Sequence, residues 1–289
     1  MIRARKRFGQ HFLEPAWVDK VIRAIDPKPD ETFVEIGPGR GALTRPLATR
    51  AKSVVAYEID RDLAADLRSA AIPNLTVVET DFLALQGLTL EPAEPIEREP
   101  REPEPEPEPE PRTPNPEPRT PRVRIAGNLP YNVASPILFK LAERYAAGTP
   151  IADATLMLQR EVADRLVAPP GTREYGVLSV LMQHVAAIDL LLKLPAGAFR
   201  PPPKVLSSLV RVRFHAPDPP VADPIVFATV VQAVFTRRRK TLANALLAHT
   251  DAARAGRALA AAGIDGTRRP ETLSVAEFAH LSDALINAT

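Results

Sequence analysis

Thr32-Phe33-Val34-Glu35-Ile36-Gly37-Pro38-Gly39-Arg40-Gly41-Ala42 decides the fold. Thr32–Ile36 reads as a strand, the glycines as a sharp turn, and Leu43 to Ala51 as a helix. Gly37, Gly39 and Gly41 let the backbone turn tightly and pass close to a ligand. Gly37-x-Gly39-x-x-Ala42 also satisfies a dinucleotide-binding pattern. Outward from it, strand-like and helix-like runs alternate. Ser53–Glu58 and Leu75–Glu79 read as strands, with a helix from Arg61 to Ala70 between them. Val123–Ala126 and Ala154–Leu158 read as two more strands, with a helix from about Pro136 to Ala146. This rhythm argues for an α/β fold: a Rossmann-like, mostly parallel sheet with helices on both faces. Ile188–Lys193 and Ser208–Arg213 lack a strong helix between them and are expected to pair antiparallel at the sheet edge. From about His215 the pattern is Ala-rich and helical, a small all-helical domain. The expected domains are therefore 1–214 and 215–289.

The composition is that of a globular chain: 289 residues, 45% hydrophobic and 25% charged. No apolar run is long enough for a transmembrane helix. The basic start, Met1 to Phe8, is not followed by an apolar stretch, which argues against a secretory signal and for a cytoplasmic location. The absence of cysteine excludes disulfides, zinc–thiolate sites, iron–sulfur clusters and thiol catalysis, and five scattered histidines leave little room for a metal site. No metal is expected. Glu91–Arg122 holds 12 prolines, 10 glutamates and 5 arginines; it carries −5, which leaves +7 on the rest of a chain of net charge +2. Alternating Glu-Pro removes donors and repels itself, so the segment is expected to be a disordered loop insert. The basic remainder favours a polyanionic partner such as nucleic acid.

Glu58 ends the second strand, 21 residues after Gly37, where an acid can accept both ribose hydroxyls of a nucleoside cofactor. That leaves NAD and S-adenosylmethionine open. Three features favour S-adenosylmethionine. Glu35 lies in the strand before the glycines, near where a cationic amino-acid moiety would sit. Asp81 follows the third strand, where a carboxylate can accept from an adenine amine. Asn128-Leu129-Pro130-Tyr131 closes the fourth strand. It resembles the tetrapeptide of amino-methyltransferases that act on nucleic-acid bases. An exocyclic adenine amine is a poor nucleophile, because its lone pair is delocalised into the ring. The side-chain oxygen of Asn128 and the carbonyl of Leu129 or Pro130 can accept its hydrogens and aim the lone pair at a methyl group. Tyr131 offers a stacking face for a base taken out of its stack.

The chain resembles, over nearly all its length outside the Glu-Pro insert, the ribosomal RNA adenine dimethyltransferase family of small-subunit type. Arg5-Lys6-Arg7-Phe8-Gly9-Gln10-His11-Phe12-Leu13 is similar to the family's opening motif, with His11 where the family usually has Asn. Leu158–Leu166, Tyr175–Ser179 and Phe199-Arg200-Pro201-Pro202-Pro203-Lys204-Val205 also match. The resemblance implies cofactor contacts at His11, Leu13, Gly37, Glu58, Asp81 and Asn128, and a Phe199 that stacks on the target adenine. Lys204 is placed to meet a phosphate. Phe235-Thr236-Arg237-Arg238-Arg239-Lys240-Thr241-Leu242 is the densest basic run and reads as a phosphate-contacting helix. Arg268–Ser274 resembles a C-terminal family signature, and Ser274 with Glu277 forms a capping box for the last helix. The implied activity is methyl transfer from S-adenosylmethionine to N6 of two adjacent adenosines near the 3′ end of small-subunit rRNA, leaving S-adenosylhomocysteine. A monomer acting on an immature small subunit is expected. Three alternatives compete: a large-subunit rRNA methyltransferase conferring antibiotic resistance, a non-catalytic assembly factor, and an NAD-dependent oxidoreductase. The last gives no role to Asn128–Tyr131.

Overall fold

Near-continuous apolar runs along the inner strands bury both faces of the central sheet. The computed structural model describes residues 11–85, 87 and 122–288. Arg5–Gln10 of the opening motif and all of the Glu-Pro insert but Arg122 lie outside the described residues. The described chain runs β1 (Phe12–Leu13), α1 (Pro15–Ile25), β2 (Thr32–Ile36), α2 (Thr44–Arg50), β3 (Ser53–Glu58), α3 (Arg61–Ser69) and β4 (Leu75–Glu79). It resumes with β5 (Val123–Asn128), α4 (Ala134–Ala146), β6 (Ile151–Gln159), α5 (Arg160–Val167), α6 (Val177–Gln183), β7 (Ala186–Leu194), β8 (Phe199–Arg200) and β9 (Ser207–Phe214). Helices α7 (Pro224–Thr236), α8 (Leu242–Leu246), α9 (Ala252–Ala262) and α10 (Val275–Asn287) complete it.

The strand order is β4-β3-β2-β5-β6-β9-β7. Strands β4 through β6 are parallel, and β9 lies antiparallel between β6 and β7. The expected parallel sheet and antiparallel edge are both present. Val34, Ile36, Val55 and Ile125 face α4 and α5, whereas Phe33, Val54 and Ala126 face α1 and α2. The chain steps outward from β2 to β4 and then returns to β5 on the other side of β2. That reversal opens a crevice outside the carboxyl ends of β2 and β5, where ligands bind in open α/β sheets.

Beyond Phe214 every regular element is helical. Asp223 caps α7 by accepting from Ile225 and Val226 N–H, with Pro224 in the first helical turn. Ser274 and Glu277 form the expected capping box on α10. The helical layer does not build its core alone. Ala168, Tyr175 and Val180, from before residue 215, pack with Phe227, Val231 and Phe278.

One buried ionic cluster ties α1 to the opposite end of the sheet. Arg124, 7% exposed, donates to both carboxylate oxygens of Asp153, to Glu31 Oε2 at 2.9 Å and to the carbonyl of Ile25 at 2.8 Å. Removing the guanidinium takes the close cationic partner from Asp153 and Glu31 and one donor from each of the Ile25 and Asp26 carbonyls, although Arg211 still donates to Ile25 at 3.2 Å. Arg124→Ala is expected to lower unfolding stability by about 3 kcal/mol. Urea unfolding would show a lower midpoint at unchanged slope; an unchanged midpoint would remove the cluster from the stability account.

Candidate active site at the carboxyl edge of the sheet

Register brings the expected residues to one edge. Ile36 lies level with Tyr57 on β3 and with Gly127 on β5, and Tyr57 with Val78 on β4. The residues that follow each of these therefore emerge side by side: Gly37, Glu58, Asp81 beyond β4, and Asn128. All four line one cleft, together with His11, Leu13, Glu35, Gly39 and Tyr131.

Positive φ at Gly37, Gly39 and Gly41 makes glycine the residue that fits this loop, and its neighbours crowd two of the three positions. Gly39 has φ +58°, and a Cβ on it would stand 3.2 Å from the Phe12 ring. Gly41 has φ +79°, and a Cβ there would lie 2.7 Å from Leu67 Cδ2. Glu58 clasps the loop: its carboxylate accepts from Gly39 N–H and from Asp60 N–H, each at 2.9 Å. Burial pushes the Glu58 carboxyl up, and those two N–H groups oppose the shift. Asp81 is exposed; it caps a short turn by accepting from Leu83 N–H at 2.9 Å.

Glu35 is different. It is 1% exposed, points with Phe33 toward the α2 face, and leaves Oε2 without a hydrogen-bond partner. The Thr44 hydroxyl nearby is also unpaired, close enough to favour the ionised form without completing a bond. Burial raises the carboxyl from its ordinary 4.5 to about 8. A buried acceptor with an open lone pair beside a glycine loop fits a cationic ligand group.

Asn128 is oriented by the chain start. Its Nδ2 donates to the His11 carbonyl at 2.8 Å, which turns Oδ1 the other way as an acceptor. The Tyr131 hydroxyl is fixed by Ser207 Oγ at 2.9 Å, and its ring stacks on the His11 imidazole at 5.6 Å between centroids. His11 Nδ1 in turn bonds to the Pro201 carbonyl at 2.8 Å. Pairing of β1 with β8 carries this chain start over the cleft, and Phe12 lies under the Arg40 guanidinium at 4.2 Å.

With that geometry in place, comparison with known proteins is decisive. A family model for ribosomal RNA adenine dimethylases matches residues 1–287. The chain belongs to that family. A ribosomal RNA small subunit methyltransferase A of Leptothrix cholodnii is 42% identical over 97% of this chain and 91% of the relative. Among solved structures, the 23S rRNA methyltransferase ErmE matches at TM-score 0.62 and 28% identity, over 95% of this chain and 99% of that one. A dimethyladenosine transferase from Plasmodium falciparum matches at TM-score 0.69 and 21% identity, over 94% and 96%, and shares the fold.

Two expectations need correction. Phe199 does not present a stacking face: it is 1% exposed, pairs with Leu13 across β1 and β8, and packs among Leu13, Leu194 and Leu209. Its apolar ring is worth more in the core than at the rim, so it anchors the chain start. The basic run is not on a helix either, because α7 ends at Thr236 and 237–240 form a turn. Within that turn Arg238 is spent internally, on the carbonyls of Arg173 at 2.7 Å and Thr172 at 3.0 Å. Arg239, Lys240 and Lys204 are exposed; Arg237, also exposed, reaches the Asn244 carbonyl at 3.4 Å. Sequence patterns gave no role to Phe12, Thr44 or Ser207. Phe12 sits inside the opening motif, but Ser207 carries no local signal, being 76 residues from its partner.

The Glu35 carboxyl sets a pH dependence with a definite sign. Its folded pKa lies above 4.5, so the folded chain holds a proton that the unfolded chain releases. Stability is thus lost as pH rises from about 4.5 toward about 8. Glu35→Gln is neutral throughout and removes that loss. The variant's gain in melting temperature over the parent should therefore grow from pH 5 to pH 9, and a gain equal at both ends would show Glu35 ionised throughout.

Proposed function

We propose that this protein transfers methyl groups from S-adenosylmethionine to N6 of two adjacent adenosines of small-subunit rRNA, giving N6,N6-dimethyladenosine. The observation that carries the proposal is Asn128, held by the His11 carbonyl so that Oδ1 faces the cleft beside the glycine loop. Membership of the adenine dimethylase family and the small-subunit names of relatives at about 40% identity support the same choice. The match to a 23S rRNA enzyme is weaker, at 28%.

When bound, the cofactor supplies an electrophilic methyl group on a sulfonium. The residues of the chain do the rest. Glu58 and Asp81 hold the nucleoside at its ribose and adenine ends, and Glu35 offers its open acceptor oxygen toward the amino-acid end. His11 and Leu13 close the cleft from above. Asn128 Oδ1 accepts one hydrogen of the target amine. The Pro130 carbonyl already accepts from Val133 N–H at 3.1 Å, so the Leu129 carbonyl is the better second acceptor. Two directed acceptors favour a tetrahedral nitrogen with its lone pair toward the methyl group, and they hold the hydrogens that become acidic as the C–N bond forms. Tyr131, kept neutral by burial and fixed through Ser207, stacks on the extruded base. The helical part, 215–289, adds phosphate contacts through Arg237, Arg239 and Lys240, and Lys204 adds one beside the cleft. The substrate is the immature small subunit, met in the cytoplasm by a monomer.

The direct test incubates the protein and labelled S-adenosylmethionine with unmethylated small-subunit particles and, separately, with large-subunit rRNA. Dimethyladenosine confined to the small subunit is expected; label only in large-subunit rRNA would make the chain a resistance-type enzyme, and binding without transfer an assembly factor. Asn128→Ala is expected to lower turnover by about 10²–10³ while cofactor affinity holds, the usual scale for one preorganised hydrogen-bonding group.

The two classes of basic residue separate experimentally. Arg239→Ala/Lys240→Ala should weaken RNA binding and reduce the salt slope by about one per lost phosphate contact, without loss of stability. Arg238→Ala should instead destabilise the fold by about 2 kcal/mol, because it abandons two backbone carbonyls. Equal loss of stability in both variants would contradict the division.

A further inference from the structure

We propose that Val205 and Leu206 form an apolar wedge that enters the rRNA stack and fills the gap left when the target adenosine swings into the Asn128–Tyr131 pocket. The proposal rests on the methyl-transfer function above. Val205 is 42% exposed and Leu206 44% exposed, two consecutive large aliphatic residues in water. Burial in the protein core does not account for them. Their place does. Ser207, the next residue, opens β9 opposite Gln159, the last residue of β6, and β6 pairs Met157 with Asn128. The 201–206 loop thus leaves the same carboxyl edge as the acceptor tetrapeptide, and Ser207 Oγ lies 2.9 Å from the Tyr131 hydroxyl.

The loop is braced at both ends. Arg200 Nε donates to Glu14 Oε1 at 2.9 Å, and the Pro201 carbonyl meets His11 Nδ1 at 2.8 Å. Pro201, Pro202 and Pro203 fix three successive φ angles. At the far end Arg160 N–H donates to the Leu206 carbonyl at 2.9 Å. The Val-Leu tip is therefore presented in one shape, and little entropy is left to lose when it binds. Exposed Lys204 beside it suits a phosphate of the same strand.

The chemistry asks for such a tip. Extruding a base costs a few kcal/mol of stacking per step, and aliphatic side chains pushed between base steps recover part of it. Tyr131 takes the extruded base; a wedge takes the vacancy. One rigid loop, tied at Ser207 to Tyr131, sets the distance between the two.

The experiment uses small-subunit particles assembled from rRNA ligated to a synthetic segment around the target. One set carries the natural sequence, the other an abasic nucleotide next to the target adenosine. Without that neighbour the adenosine swings out more cheaply and leaves less stack to fill. Val205→Ser/Leu206→Ser is expected to lower the single-turnover rate about tenfold on natural particles and to recover to within about threefold of the parent on abasic ones. Leu206→Met should keep the parental rate on both, and cofactor affinity should hold in every variant. An equal loss on both particles, or no loss on natural ones, would overturn the wedge while leaving the function standing. A parent protein that methylates neither particle would overturn the function and the wedge with it.

Discussion

The carbonyl oxygen of Ile36 stands where a side chain on residue 127 would have to go. A Cβ at Gly127 would lie 2.7 Å from that oxygen, closer than any real contact. Glycine is thus required at the point where β5 runs beside β2, and the pairing there decides the site. It sets Gly37 and Asn128 level at the crevice where the sheet reverses direction. A one-residue slip of β5 would turn Asn128 away and drive Val123 and Ile125 out of their core. Cofactor loop and acceptor tetrapeptide are therefore coupled through one ladder of backbone hydrogen bonds.

A second constraint comes from far away in sequence. The chain start crosses the top of the cleft because two residues of β1 pair with two of β8. Phe199 is buried under that pairing, and Glu14 and Arg200 close it from outside. The same segment delivers the carbonyl that orients Asn128 and the imidazole that covers part of Tyr131. The His11 side chain and the His11 main chain do different jobs. A change of residue type at 11 alters the stacking partner while leaving the carbonyl, and hence the Asn128 acceptor, in place.

What was legible in the sequence follows from range. Thr32–Ile36, Ser53–Glu58 and Leu75–Glu79 are strands with the expected bounds, because each is a compact apolar run ended by a turn residue. Glu58, Asp81 and Asn128 could be placed because each directly follows or ends such a run. The edge strands are longer than expected, Ala186–Leu194 against Ile188–Lys193, since pairing with β9 extends them past their most apolar residues. The interactions that were not legible are all long-range. A two-residue strand has no periodicity, so β1 and β8 leave no pattern to read. Burial of Phe199 depends on that hidden pairing. Arg238 looks like its neighbours in a run of cations, and only the nearby carbonyls of Thr172 and Arg173 set it apart.

Buried charge is answered differently at the two ends of the sheet. Arg124 shows how this chain treats buried charge elsewhere: surrounded by two carboxylates and backbone carbonyls. Glu35 has no comparable escort, and its open oxygen and the unpaired Thr44 hydroxyl lie side by side under the glycine loop. Such an arrangement costs folding free energy, which the surrounding core must offset. The cost has a direction. It is largest when Glu35 is ionised with nothing positive nearby, and it shrinks when a cation enters the cleft. Free energy withheld from the empty fold is thereby returned on binding, so a cationic ligand gains affinity from the same burial that weakens the protein alone. The open oxygen of Glu35, at the wall of the cleft, fits a pocket shaped for a cationic occupant, and Glu58, whose burial is answered by two N–H groups, marks the end of the cleft where no positive charge is needed.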